Sequence, residues 1–184
     1  MDIKIMRKGQ AISYVNSNIY KKMGIISISS PKFKNPCFKE TNNILGIIYL
    51  KINDYRKHHL KKIKNPCILT NKDVFKIKKF VDLLKNKIDE LIIHCEAGIS
   101  RSSAIACGIS LYLGKDDAWI WKGKYVPNDY IVELFNKVLN LGLTDNDLKK
   151  RYSQKKYMPI LMNAVIHAFI FIQHIGSLIH KKSS

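Results

Sequence analysis

The apolar positions of this chain fall into short runs divided by polar, turn-rich stretches. Met23 to Ser30, "MGIISISS", alternates apolar with small polar residues and stops at Pro31, which predicts a strand running into a loop. After the polar stretch "PKFKNPCFKETNN" comes "ILGIIYLKIND", Ile44 to Asp54, a second strand-length apolar run that ends on an acid. Residues 55–69, "YRKHHLKKIKNPCIL", keep no clean period and predict a surface loop holding a turn of helix. Thr70 opens a helix. Paired with Asp73 it makes a capping-box-like start, and Val74, Ile77, Phe80, Val81 and Leu84 follow at helical spacing. Residues 91–94, "LIIH", predict a short buried strand, and "SSAIACGISLYLG" from Ser102 predicts a closely packed helix with Gly114 at its C-terminal end. Strand, loop and helix alternate, so the expected class is α/β, with a central, mostly parallel sheet flanked by helices. Ligands of such folds lie beyond the carboxyl ends of the strands, where residues 95–101 fall.

That segment carries the chemistry. "HCEAGISRS", His94 to Ser102, stands between a buried strand and a helix N-terminus. A loop in this setting directs successive backbone amides at one centre and adds the positive end of the helix, which together attract a tetrahedral dianion such as phosphate. Gly98 permits the tight backbone, and Arg101 can fork onto two phosphate oxygens, which a Lys cannot match. Cys95, at the bottom of this positive bowl, is favoured as thiolate and hence as nucleophile. Ser102 can donate to the thiolate and help it leave, and His94 can orient Cys95 through its backbone. A lone strand-end Cys is ordinarily a small buried hydrophobe; the company of Gly98, Arg101 and Ser102 argues against that here.

The pattern H-C-x-x-G-x-x-R-S resembles the signature loop of the cysteine-dependent protein tyrosine phosphatases, in particular their small dual-specificity-like branch. "YVPNDYIVELFNKVL", Tyr125 to Leu139, is similar to the Pro-Asn segment and following helix of that branch, and the upstream strand-loop-strand resembles its compact bacterial and phage members. The resemblance covers roughly residues 20–141. It implies a three-layer phosphatase fold over residues 1–150, followed by a tail, 151–184. It further implies Cys95 as nucleophile, Arg101 as phosphate clamp, Ser102 in thiolate release, and the backbone amides of Glu96, Ala97, Gly98, Ile99 and Ser100 on the phosphate. The family also uses an upstream Asp as general acid. Asp54, at the end of the second strand, is the choice for that role over Asp73, which caps a helix. The implied substrate is a phosphorylated protein carrying phosphotyrosine, with phosphoserine and phosphothreonine as further candidates, and the implied chemistry needs no metal or organic cofactor. Glu96 puts a negative charge in the cradle, which argues against a polyphosphorylated lipid.

Composition modifies this picture little. The 32 basic and 14 acidic residues give +18, which keeps an RNA 5′-phosphatase open as the enzymatic alternative. Of the basic residues, 28 are Lys and only four are Arg, whereas nucleic-acid readers favour Arg, so no specific nucleic-acid partner is expected. Cys37, Cys67, Cys95 and Cys107 form no C-x-x-C pair and no zinc spacing, and the first residues hold no signal-like apolar stretch. A reduced, cytoplasmic protein is the expectation. The tail is uncharged from Tyr157 to Ile179, with Asn163, His167, His174, Ser177 and Lys181 on one helical stripe. Packing of that helix on the domain ranks first, peripheral membrane attachment second and a membrane span third. A non-catalytic phosphate-binding protein that docks through this tail is the second class of reading. Trp119 and Trp121 are core anchors or flank the pocket, and Cys107 is expected to be buried.

Overall fold

The first strand is one that the apolar pattern does not announce. In the computed structural model, which describes residues 1–18 and 20–153, Asp2–Arg7 forms β1 and runs straight into α1, Lys8–Ser17. β1 is an edge strand, and its polar Asp2 and Lys4 leave no continuous apolar run to recognise. The other elements are β2 (Met23–Ser29), β3 (Ile44–Lys51), α2 (Lys57–Leu60), α3 (Asn71–Leu84), β4 (Glu90–Cys95), α4 (Arg101–Tyr112), α5 (Ala118–Lys122), α6 (Asp129–Leu139) and α7 (Asp145–Ser153).

The four strands stand in the order β1-β4-β2-β3, and every pairing is parallel. The expected α/β class with a central parallel sheet is what the structure shows. β2 and β4 are the central strands and are buried along their whole length. The Ile/Ser alternation of β2 therefore does not separate core from solvent: Ser27, Ser29 and Ser30 are as buried as the isoleucines. One face of the sheet packs on α1 through Ala11, Val15, Met23, Ile25, Ile92 and Phe38. The opposite face carries the larger core, in which Ile26, Ile28, Leu91 and Ile93 meet Val74, Ile77 and Val81 of α3, Ile105 and Ile109 of α4 and Phe135 of α6. Helix, sheet, helix is the three-layer arrangement.

Local signals explain the helix ends. The Asp73 amide donates to Thr70 Oγ1 (3.3 Å) while the Thr70 amide donates to Asp73 Oδ2 (2.9 Å), so both partners of the expected capping box are in place. Gly114 follows α4 with φ +66°, the left-handed geometry that suits glycine after a helix. Thr144 and Asp147 repeat the Thr70–Asp73 arrangement at the start of α7, a helix that the same signal could have predicted. α4 and α6 approach closely because Gly108 has no side chain: a Cβ there would lie 2.3 Å from the Phe135 ring.

α7, Asp145–Ser153, includes the first three residues of the segment 151–184. Arg151 ties it down with two hydrogen bonds to Asp117 (3.1 and 3.2 Å). Asp117 also accepts from the Trp121 indole (2.7 Å) and the Cys107 thiol (3.2 Å). Trp121 is thus a core anchor, and burial together with the Asp117 carboxylate pushes the Cys107 thiol well above its ordinary range. The apolar stretch Tyr157 to Ile179 lies outside the described residues. Among those described, no helix is long and apolar enough to cross a membrane.

Candidate active site

β4 delivers Cys95 to the carboxyl edge of the sheet, and α4 begins at Arg101, so the five residues between them must turn within a short loop. Gly98 makes the turn with φ +69°. A second constraint acts there: a Cβ on Gly98 would sit 2.5 Å from the backbone N of Arg7 and 2.5 Å from the carbonyl carbon of Met6. The loop thus lies directly on the end of β1, whose Arg7 is the register partner of Cys95. Glycine is required both for conformation and for space.

The turn wraps around the Cys95 sulfur. The Gly98 amide donates to Cys95 Sγ (3.3 Å), and Ser102 Oγ lies 3.2 Å from it. Cys95 is 2% exposed, at the base of the loop. An amide hydrogen directed at the sulfur and a hydroxyl within hydrogen-bond reach of it are partners from which a thiolate can accept. Among the described residues there is no cluster of three or more His, Cys, Asp or Glu able to hold a metal ion.

Arg101 is 2% exposed, yet it is only partly satisfied. Its Nη1 donates to the Ile52 carbonyl (2.9 Å) and to Ser30 Oγ (3.4 Å), and its Nη2 to Glu96 Oε2 (2.5 Å). Nε is buried without a hydrogen-bond partner, 3.9 Å from Asp54 Oδ2. Burial works to lower the Arg101 pKa, but Cys95, Asp54 and Glu96 outweigh it and hold the guanidinium above its ordinary value. A permanently charged fork with an unused buried N–H is a ready anion clamp.

Asp54 stands beside this clamp although it is far away in sequence. Its Oδ1 accepts from Ser100 Oγ (2.8 Å) and from Asn128 Nδ2 (2.7 Å). Asn128 is fully buried and does several things at once. Its amide group also donates to the Tyr55 carbonyl (3.1 Å), its Oδ1 caps α6 by accepting from the Ile131 amide (3.2 Å), and its backbone N–H reaches the Ser100 carbonyl (3.3 Å). Val126 N–H reaches the Ile99 carbonyl (3.1 Å), and the Arg56 guanidinium reaches the Val126 carbonyl (3.4 Å). The segment before α6 therefore joins the loop at 95–101 to the chain that leaves β3.

The structure brings Cys95, Glu96, Gly98, Ser100, Arg101, Ser102 and Asp54 into one site. His94, the residue before Cys95 in β4, is fully buried and edge-on to Phe38 at 5.7 Å, and desolvation holds its pKa down to about 4, so it is neutral. Sequence reasoning missed the side-chain roles of Ser30 and Asn128 and the Ile52 carbonyl. Only Asn128 had a local signal, as the cap residue between Pro127 and an apolar-periodic helix. Trp119 is 39% exposed and makes an edge contact with Tyr125, next to the segment that holds the loop.

No protein-family model matches the chain, and no curated protein gives a significant sequence match. Among solved structures it is similar to the human tyrosine phosphatase-like serine/threonine/tyrosine-interacting protein, with 23% identity and a TM-score of 0.45 over 66% of this chain and 79% of that one. It is also similar to OH1 from the Orf virus, described as a tyrosine phosphatase with triple substrate specificity, with 15% identity and a TM-score of 0.38 over 84% and 81% of the two chains. These likenesses are distant, and what the site can do rests on its own geometry.

Proposed function

We propose that this protein is a cysteine-dependent phosphomonoesterase that hydrolyses phosphotyrosine in proteins, with phosphoserine and phosphothreonine as further substrates. The observation that carries the reading is the buried Arg101, whose Nε is unpaired within a loop that wraps the Cys95 sulfur. A buried charged fork with one N–H left unused marks the place of an anion. A sulfur with an amide and a hydroxyl directed at it, in the same loop, supplies the nucleophile.

The steps follow from the groups present. The phosphoryl dianion enters the loop, with its oxygens on the backbone amides of residues 96–100 and on Arg101. Cys95 Sγ attacks phosphorus as thiolate, the bond to the leaving oxygen breaks, and Asp54 in its protonated form transfers its proton to that oxygen. The intermediate is a cysteinyl phosphate. Asp54, now a carboxylate, takes a proton from a water molecule that attacks phosphorus, and Ser102 donates to the departing thiolate. Arg101 and the amides stay aligned on the equatorial oxygens throughout, which lowers the barrier without reorganisation. A reduced, cytoplasmic setting suits this chemistry, since the nucleophile must remain a free thiol, and all four cysteines are free.

The test is hydrolysis of an aryl phosphate in the presence of a chelator by wild type, Cys95→Ser and Arg101→Lys. Turnover that vanishes in Cys95→Ser and falls by orders of magnitude in Arg101→Lys is the expected result. Equal rates in wild type and Cys95→Ser would sink the reading.

A further inference from the structure

A guanidinium grips a phosphoryl group through two neighbouring N–H groups. In Arg101, Nη1 is spent on the Ile52 carbonyl and Ser30 Oγ, which leaves the Nε and Nη2 edge for substrate. Nη2 is already engaged by the Glu96 carboxylate. A phosphoryl oxygen brought to that edge shares a nitrogen with a carboxylate, so two anions meet on one donor. Glu96 is not a stray surface side chain. Its Oε1 accepts from the Ser30 amide (3.3 Å) and its backbone carbonyl from the Lys8 amide (3.3 Å), so the residue is tethered to the chain after β2 and to the start of α1. Its side chain is 9% exposed.

We propose that Glu96 is a specificity-determining residue of the cradle: its carboxylate stands in for a phosphoryl group on Arg101 in the substrate-free protein, and thereby weakens the hold on free phosphate. This rests on the phosphatase reading above. A phosphate ester entering the site gains contacts through its leaving group. Inorganic phosphate, the product, has only the cradle to bind and must displace a charge-assisted hydrogen bond to do so. Glu96 thus clears product from an otherwise strongly positive bowl, while keeping the Arg101 fork oriented between turnovers.

The experiment uses the full-length protein and inorganic phosphate as probe. Binding is read in two ways, as product inhibition of aryl phosphate hydrolysis and as protection of Cys95 from alkylation by iodoacetate, which needs no turnover. Glu96→Gln keeps the size of the side chain and an acceptor for the Ser30 amide but removes the charge. It is expected to bind phosphate about tenfold more tightly than wild type, the smaller end of the worth of a hydrogen bond to a charged group. Glu96→Asp, with the same charge on a shorter arm, is expected to fall between the two. Wild type that turns over, with a folded Glu96→Gln that holds phosphate no more tightly, overturns this inference and leaves the phosphatase reading intact. Wild type that neither hydrolyses the ester nor is protected by phosphate overturns both.

Discussion

Asn128 allows a sharp test of how Asp54, the proposed acid, is positioned. Replacing it with Ala removes three side-chain hydrogen bonds from a fully buried site: the donors to Asp54 Oδ1 and to the Tyr55 carbonyl, and the cap on the Ile131 amide. The lost cap costs about 1 kcal/mol, and each buried partner left unsatisfied about 1–3 kcal/mol. A total of roughly 3–7 kcal/mol lowers Tm by about 6–28 °C at 2–4 °C per kcal/mol for a chain of this size. Asn128→Ser keeps a cap residue but cannot reach Asp54, so it separates stability from chemistry. The assay is kcat for two aryl phosphates, one with a good and one with a poor leaving group, in wild type, Asn128→Ser, Asp54→Asn and the double variant. A positioned general acid is worth about 10²–10⁴-fold. Asp54→Asn should therefore lose about 10²-fold or more on the poor leaving group and much less on the good one, and Asn128→Ser about tenfold with the same bias. The double variant should be no worse than Asp54→Asn alone, because both act through one proton. If Asp54→Asn shows no leaving-group bias, Asp54 is not the acid. If Asn128→Ser alone shows none, the 2.7 Å hydrogen bond does not serve catalysis.

Three further outcomes follow from the packing and the buried charges. Gly98→Ala, which forces a Cβ against the end of β1 at a positive φ, should abolish aryl phosphate hydrolysis and lower Tm, whereas retained activity would show that the loop is free to move away from Met6 and Arg7. Gly108→Ala should cost about 1–3 kcal/mol in urea unfolding through overpacking against Phe135, and a double change with Phe135→Leu should recover part of that loss. His94 is buried with its pKa lowered from 6.5 to about 4, so between those values the unfolded chain binds a proton that the folded one refuses. Its contribution is present above pH 6.5 and is lost as pH falls toward 4, by about 2 kcal/mol at pH 5. Denaturant titrations at pH 7.5 and 5.0 should show this loss in wild type but not in His94→Leu, and equal losses in the two would refute the assignment.

The amino-acid sequence determined the elements whose signals are local. Short apolar runs ending in turn residues mark β2, β3 and β4, Thr70 with Asp73 starts α3, and a glycine ends α4. The loop between a buried strand and a helix was readable for the same reason, since its Cys, Gly, Arg and Ser act over a few residues of chain. Tertiary structure decided the rest. β1 carries Lys and Asp, and only its pairing with β4 places Arg7 beside Cys95 and makes the backbone of Met6 and Arg7 the floor under Gly98. Asp54 was a strand-end acid like many others until Ser100 and Asn128, both distant in sequence, converged on its carboxylate. Glu96 stood in the sequence as the donor of a backbone amide and as a negative charge in the cradle, and the partners of that charge emerged only when the fold put Ser30 and Arg101 at its two oxygens. Hydrogen bonds and ion pairs across the carboxyl edge of the sheet depend on which strands are neighbours, and strand order is a property of the packed core rather than of any window of sequence.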